Sequence, residues 1–305
     1  MSSPKCQVSN EWSTLKKVIV GTAVSWGADP TAELAVDPKS REHILAGTYP
    51  TENDVQQELE GLVTLLKSND VEVIRPVNIE GLNQVFSRDV GIVINDKLIH
   101  TSMIAGRSQE WEGIENHFSH LSSNQILIPT VGVRIEGGDV MPMGDEIWVG
   151  FGEGDDFEKY RTSRTNELAI EWLTREFPNH HIRSFALSKS DIDPRLNALH
   201  LDCCLSVLSG GHAIFHPGGM KYEKDRHWIR KHFEGKIIEL DAEGMYDMHC
   251  NLFSITPATV ISGQGFNKVN TQLRNWGYEV LETPMGETSK MGGLLRCVTL
   301  PIIRS

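Results

Sequence analysis

Near the C-terminal end of the sequence, Cys297 follows a Gly-Gly pair and an arginine, in Gly292-Gly293-Leu294-Leu295-Arg296-Cys297-Val298-Thr299. A buried cysteine is ordinarily a small hydrophobe. What distinguishes this one is its company: Arg88-Asp89, Glu136-Gly137-Gly138-Asp139 and His200-Leu201-Asp202. A thiolate is a strong nucleophile whose pKa falls beside positive charge. A histidine can protonate a leaving amine and later deprotonate an incoming nucleophile. Carboxylates beyond the one needed to orient a histidine suit a planar cationic substrate with several N–H donors. Guanidinium is such a group, and it stays protonated. Asp89 and Asp202 could hold its nitrogens and turn its central carbon toward Cys297, with Glu136 beside them. Cys297 would then attack that carbon, His200 would protonate the departing amine, and water or a second amine would release the covalent S-amidino or S-alkylthiouronium enzyme. Arg296 either orients Cys297, binds a substrate carboxylate or forms an ordinary salt bridge. Arg107, Arg161 and Arg164 are further carboxylate partners by type.

These residues need elements to position them, and the apolar alternation supplies a recurring unit of strand, tight turn, strand, helix and closing strand. The first copy reads Val90–Ile94, Lys97–His100, a helix near Gln109–Leu121, and Gln125–Pro129. The second runs Val140–Met143, Ile147–Phe151, a helix at Thr165–Phe177, and His181–Leu187. The third has Cys203–Leu208, His212–His216, a helix around Lys221–His232, and Lys236–Leu240. The fourth has Asn251–Thr256, Thr259–Ser262, a helix at Asn267–Trp276, and Tyr278–Glu282. A fifth is split, closing with Leu294–Ile303 and opening with Trp12–Val20, a helix at Asp54–Ser68 and Val71–Pro76.

From Asp89 the steps to Glu136, His200, His249 and Cys297 are 47, 64, 49 and 48 residues. Recurrent units either stack in a line or close into a ring. A unit shared between the two ends of the chain favours a ring, with the polar clusters converging near its axis. The stretch Thr22–Thr51, carrying Trp26, Asp29 and Asp37, reads as irregular: a cover over the site or a surface excursion. With no linker in view, residues 1–305 read as one domain.

The apolar content of 39% and charged content of 23% describe a soluble globular chain. A net charge of −12 without a basic run excludes phosphate-backbone binding. No apolar stretch approaches the ~20 residues of a membrane span. Five cysteines without a C-x-x-C pair read as reduced thiols in a cytoplasmic enzyme.

Together these patches resemble the arginine deiminase and amidinotransferase superfamily, the pentein fold. They are Asn10-Glu11-Trp12-x-x-Leu15-x-x-Val18-Ile19-Val20-Gly21, Ser87-Arg88-Asp89, Glu136-Gly137-Gly138-Asp139, His200-Leu201-Asp202 and Gly-Gly-x-x-Arg-Cys-x-Thr. The resemblance implies an α/β-propeller of five ββαβ-type units around a pseudo-fivefold axis, with one unit closed by both termini. It implies Cys297 as nucleophile, His200 as general acid/base, and Asp89 and Asp202 as guanidinium ligands. Glu136 or Asp139 is the further carboxylate beside His200. The N-terminal patch and Met103-x-x-x-Arg107-x-x-Glu110 are similar to amidinotransferases and point to amidino transfer from arginine to an amine. The Glu-Gly-Gly-Asp and Arg-Cys-x-Thr wording is closer to the hydrolases, so hydrolysis by water is the alternative.

The expected partners are a small guanidine, such as arginine, and an amine acceptor, with no nucleic acid, membrane or cofactor; a homodimer is compatible. Two rival classes are a metal-dependent hydrolase and a non-catalytic binding protein on the same scaffold. Against the first, no His-Glu-x-x-His or C-x-x-C spacing occurs, and adjacent Cys203 and Cys204 on a strand would face opposite ways.

Overall fold

A computed structural model of the chain describes residues 6–28 and 30–305; Asp29 lies outside the described residues. Its strands are β1 (Leu15–Val20), β2 (Glu72–Ile74), β3 (Gly91–Ile94), β4 (Lys97–His100), β5 (Ile126–Leu127), β6 (Val140–Pro142), β7 (Glu146–Phe151) and β8 (His181–Ala186). They continue as β9 (Leu205–Leu208), β10 (His212–Phe215), β11 (Ile237–Glu239), β12 (Phe253–Ser254), β13 (Thr259–Gly263), β14 (Glu279–Thr283) and β15 (Thr299–Arg304).

These strands form five three-stranded sheets of one topology: β3-β4-β5, β6-β7-β8, β9-β10-β11, β12-β13-β14 and β15-β1-β2. In each, the first two strands pair antiparallel and the third joins the middle strand in parallel. A tight turn suffices for the antiparallel step, whereas the parallel step needs a long crossover. The last sheet is indeed shared by the two ends of the chain, with β15 against β1.

Four apolar clusters join one sheet to the next. One packs Ile19 and Leu300 against Val90 and Leu98, and another packs Ile92 and Ile99 against Val140 and Val149. A third joins Met141 and Trp148 to Leu205 and Phe215. The largest spans Ile214, Phe253 and Val260, and returns to Leu15 and Val18. The Leu15 N–H also donates to the Ile255 carbonyl at 2.8 Å, tying β1 to the fourth sheet.

The helix Glu52–Ser68 shows how sequence pattern becomes packing. Thr51 and Asp54 close a capping box at its start. Val55, Leu59, Leu62, Val63 and Leu66 then recur on one face and are buried. Removal of each such side chain from water contributes about 1.5–3 kcal/mol.

Three expectations change. The stretch Gln109–Leu121 is not one α-helix but two 3-10 segments, Ala105–Gly113 and Glu115–Phe118. Gly106 and Gly113 weaken regular helix there. The irregular stretch 22–51 contains a helix, Pro38–Leu45, capped by Asp37. Cys203 and Cys204 lie on a helical turn, Leu201–Cys204, rather than on a strand. Among the described residues, no helix is long and apolar enough to cross a membrane.

Candidate active site

Each sheet's first strand is preceded by a short turn, and those turns carry the polar clusters. Ser87–Asp89, Gly137–Asp139 and Leu201–Cys204 lead into β3, β6 and β9. Cys297 sits in the turn before β15, not on the strand itself. A turn at this place aims side chains along the sheet's end instead of into the packed faces. At the fourth position the residue that meets the others is Asn251. His249 is tilted against the Phe266 ring, with centroids 4.1 Å apart.

Cys297, His200, Asp89, Arg107, Glu110 and Arg164 line one cavity of about 250 Å³, walled by apolar groups including Phe86, Tyr49 and Leu199. Segment 30–40 covers it: the Arg164 Nη2 donates to the Val36 carbonyl at 2.7 Å, and Asp37 and Ser40 face the cavity.

Asn251 anchors the Cys297 turn. Its Oδ1 accepts from the Arg296 N–H at 2.8 Å and the Cys297 N–H at 3.3 Å, and its Nδ2 lies 3.2 Å from Cys297 Sγ. Asp202 Oδ2 is 3.7 Å from the same sulfur. The contact with Cys203, burial and the Asp202 charge all push the Cys297 thiol well above its ordinary pKa. A bound cation would reverse that repulsion.

His200 Nε2 lies 2.9 Å from Glu136 Oε2, and its Nδ1 is 3.7 Å from Asp89 Oδ1. Burial disfavours the imidazolium, but Asp89, Asp139 and Glu136 outweigh it and raise His200 to about 9. Burial likewise opposes the Glu136 carboxylate, yet Arg164, His200 and Arg107 hold its pKa well below the usual range. The pair is therefore imidazolium and carboxylate at neutral pH. Gly138 is required beside it: a Cβ there would lie 2.6 Å from the His200 ring.

Several expected roles are corrected by this geometry. The carboxylate bonded to His200 is Glu136. Asp139 instead accepts the Leu201 N–H at 3.0 Å and acts on the turn that carries His200. Arg296 does not line the cavity. It is buried, with Nε and Nη2 on Glu11 at 3.1 and 3.0 Å and Nη1 on Asp202 at 2.8 Å. It also donates to the Val140 carbonyl at 2.8 Å, so it cannot meet a substrate carboxylate. Arg107 does line the cavity, but its guanidinium is engaged: Nε and Nη2 on Glu110 at 2.7 and 2.9 Å, and Nη1 on Asp89 at 2.8 Å. Asp89 and Asp202 thus each have one oxygen committed to a protein arginine. Arg161 donates to the Glu33 carbonyl.

Glu110, Asn251 and Glu11 are part of this network without having been singled out by the spacing. Glu110 is pushed up to about 7 by burial, against Arg107, with Asp89 and Glu136 adding repulsion. Among the described residues, two ligand-type groupings occur, His200-Asp202-Cys203 and Asp89-Glu136-His200, each within 4.8 Å. Guanidinium groups of Arg296, Arg107 and Arg164 already supply positive charge to their carboxylates.

Residues 40–304 match the family model described as N,N dimethylarginine dimethylhydrolase, eukaryotic. The uncharacterized protein YkgA of Bacillus subtilis is 31% identical over 244 residues, covering 80% of this chain and 78% of that protein. The N-terminal domain of ArgZ, a cyanobacterial arginine dihydrolase, superposes with a TM-score of 0.76 at 19% identity, covering 94% of this chain and 97% of that one. SxtG, an amidinotransferase from Microseira wollei, superposes at 0.74 and 18% identity, covering 98% and 97%. The structural likenesses establish the mixed α/β pentein fold, and the family match over most of the chain makes it a member of the N,N dimethylarginine dimethylhydrolase family within the pentein superfamily.

Proposed function

We propose that the chain is a cysteine-dependent enzyme that cleaves a C–N bond of a small guanidine, arginine or an N-substituted arginine, with water as acceptor. The observation that carries this reading is the buried His200–Glu136 pair, whose imidazole lines the same cavity as Cys297. Residues 1–305 act as one domain. Its five like sheets form a closed ring, a reading supported by apolar clusters that link each sheet to the next and the fourth back to β1. In that ring the turns before β3, β6, β9 and β15 meet near the axis.

In this mechanism the substrate guanidinium sits against Asp89, which lines the cavity, with the Asp202 carboxylate beside the Cys297 sulfur, and its charge draws the Cys297 proton off to solvent. The thiolate attacks the guanidinium carbon to give a neutral tetrahedral adduct. His200, protonated at rest, gives its proton to the departing amine, and the C–N bond breaks to leave an S-alkylthiouronium on Cys297. Neutral His200 then takes a proton from water as its oxygen bonds to that carbon. Collapse expels the Cys297 thiolate and leaves a ureido product. Glu136 holds the imidazolium through the first step and regains it after the second. Arg296 positions Asp202 and the Cys297 turn.

The family to which the chain belongs is named for a hydrolase, which favours water. Amidino transfer is the second reading. It is favoured by the Asn10-Glu11-Trp12 patch, whose Glu11 is bound to Arg296 next to the nucleophile. Products formed from arginine and from N,N-dimethylarginine, with and without an amine panel, decide between them. Citrulline with ammonia or dimethylamine supports hydrolysis, and ornithine dependent on acceptor supports transfer. No product from either guanidine would overturn both readings.

A further inference from the structure

The proposed chemistry uses one of the five cysteines, yet a second thiol stands next to it. Cys203 Sγ lies 3.6 Å from Asp202 Oδ1, and Cys297 Sγ lies 3.9 Å from the same oxygen. The two sulfurs thus converge on a single carboxylate oxygen, and each thiol influences the ionisation of the other. Neither position is loose. Cys203 sits on the helical turn Leu201–Cys204, and Cys297 is fixed through Asn251.

Their access differs. Cys297 faces the substrate cavity, whereas Cys203 faces a neighbouring recess of about 30 Å³ with Lys39 and Gly292. A small oxidant entering the empty cavity therefore meets Cys297 first. Two of the other three cysteines are placed otherwise: Cys204 Sγ points to the Leu201 carbonyl at 3.4 Å and Cys6 Sγ to the Asp96 carbonyl at 3.3 Å.

We infer that Cys203 is a resolving thiol, and that Cys203 and Cys297 form a reversible disulfide when a peroxide oxidises the substrate-free enzyme. The Cys297 sulfur attacks one peroxide oxygen, the O–O bond breaks, and Cys297 becomes a sulfenic acid with release of water. The Cys203 sulfur then displaces that hydroxyl as a second water, leaving the S–S bond. Two thiols are oxidised and one hydrogen peroxide is reduced. A dithiol restores both thiols by exchange. Lys39 lines the same recess, and its positive charge acts against the burial that raises the Cys203 thiol. The disulfide blocks the nucleophile while protecting it from irreversible sulfinic acid.

The inference rests on Cys297 as nucleophile only for its effect on activity; the bond itself is read independently by mass. The whole protein is treated with hydrogen peroxide and alkylated. Peptides are mapped without reduction, alongside Cys203→Ser and Cys204→Ser variants. The expected result is a peptide linking Cys203 to Cys297 in the wild type and in Cys204→Ser, absent in Cys203→Ser. Dithiothreitol should restore nearly all wild-type activity, whereas Cys203→Ser under excess peroxide should accumulate sulfinic acid on Cys297 and recover about tenfold less. No linked peptide, or a link that persists in Cys203→Ser, would overturn the inference, as would equal protection of Cys297 in wild type and Cys203→Ser. Bound arginine should slow the reaction by covering Cys297. If the disulfide forms but no guanidine is turned over, the functional reading fails while the thiol pair stands.

Discussion

Glu136 Oε2 lies 2.9 Å from His200 Nε2, and both side chains are almost wholly removed from solvent. The carboxylate keeps its charge because Arg164 stands 3.2 Å from the same oxygen. A buried ion pair of this kind fixes the imidazole's direction and, in the proposed mechanism, keeps it protonated until the leaving amine takes the proton.

Replacement of Glu136 by Gln should therefore lower the His200 pKa and reduce kcat by about 10²–10⁴-fold. The alkaline limb of the pH–kcat profile should move to lower pH in the variant. An unchanged limb would assign it to another group.

The pH dependence of the wild type has a definite sign. His200 is raised from 6.5 to about 9 in the folded chain. Its stabilising contribution is complete below the unfolded value and is lost as pH rises through the folded one. Thermal unfolding followed from pH 6 to 10 should show a fall across that window, reduced in His200→Gln. Activity should decline on the same alkaline side, where the general acid is lost.

Gly138→Ala tests the close approach beneath the imidazole. The added methyl would sit 2.6 Å from the ring, so His200 must shift. A displacement of this order costs about 10²-fold in kcat with little change in KM. Circular dichroism and thermal melting of the variant distinguish misplacement from unfolding.

Arg296→Met leaves Glu11 and Asp202 buried without their partner. Removal of one member of such a network should destabilise by about 3–5 kcal/mol, read from denaturant unfolding. Glu11→Gln with Arg296→Met should lose less than the two single changes added together.

The sequence showed the architecture well because each unit repeats the same strand-turn-strand pattern, and β3, β7, β10 and β13 fall where the apolar runs place them. It was least informative where glycine or short range intervened, as in the 3-10 segments around Trp111. Cys297, His200, Asp89 and Glu136, singled out by residue type and spacing, are brought close together by the fold. The partners of the arginines were not recognisable in this way, since ion pairing depends on residues such as Glu11 and Arg296, 285 positions apart. Asn251 had no signal either: amides near strands are common, and only the meeting of turns gives this one three contacts around Cys297.

The most direct test of the account is intact-protein mass spectrometry of the enzyme quenched in acid during turnover of isotopically labelled arginine or N,N-dimethylarginine. A labelled amidino or alkylthiouronium adduct mapped to Cys297, absent in Cys297→Ala that still binds substrate, is the predicted result. Turnover of either guanidine by Cys297→Ala, or a label on another residue with Cys297 unmodified, would contradict it.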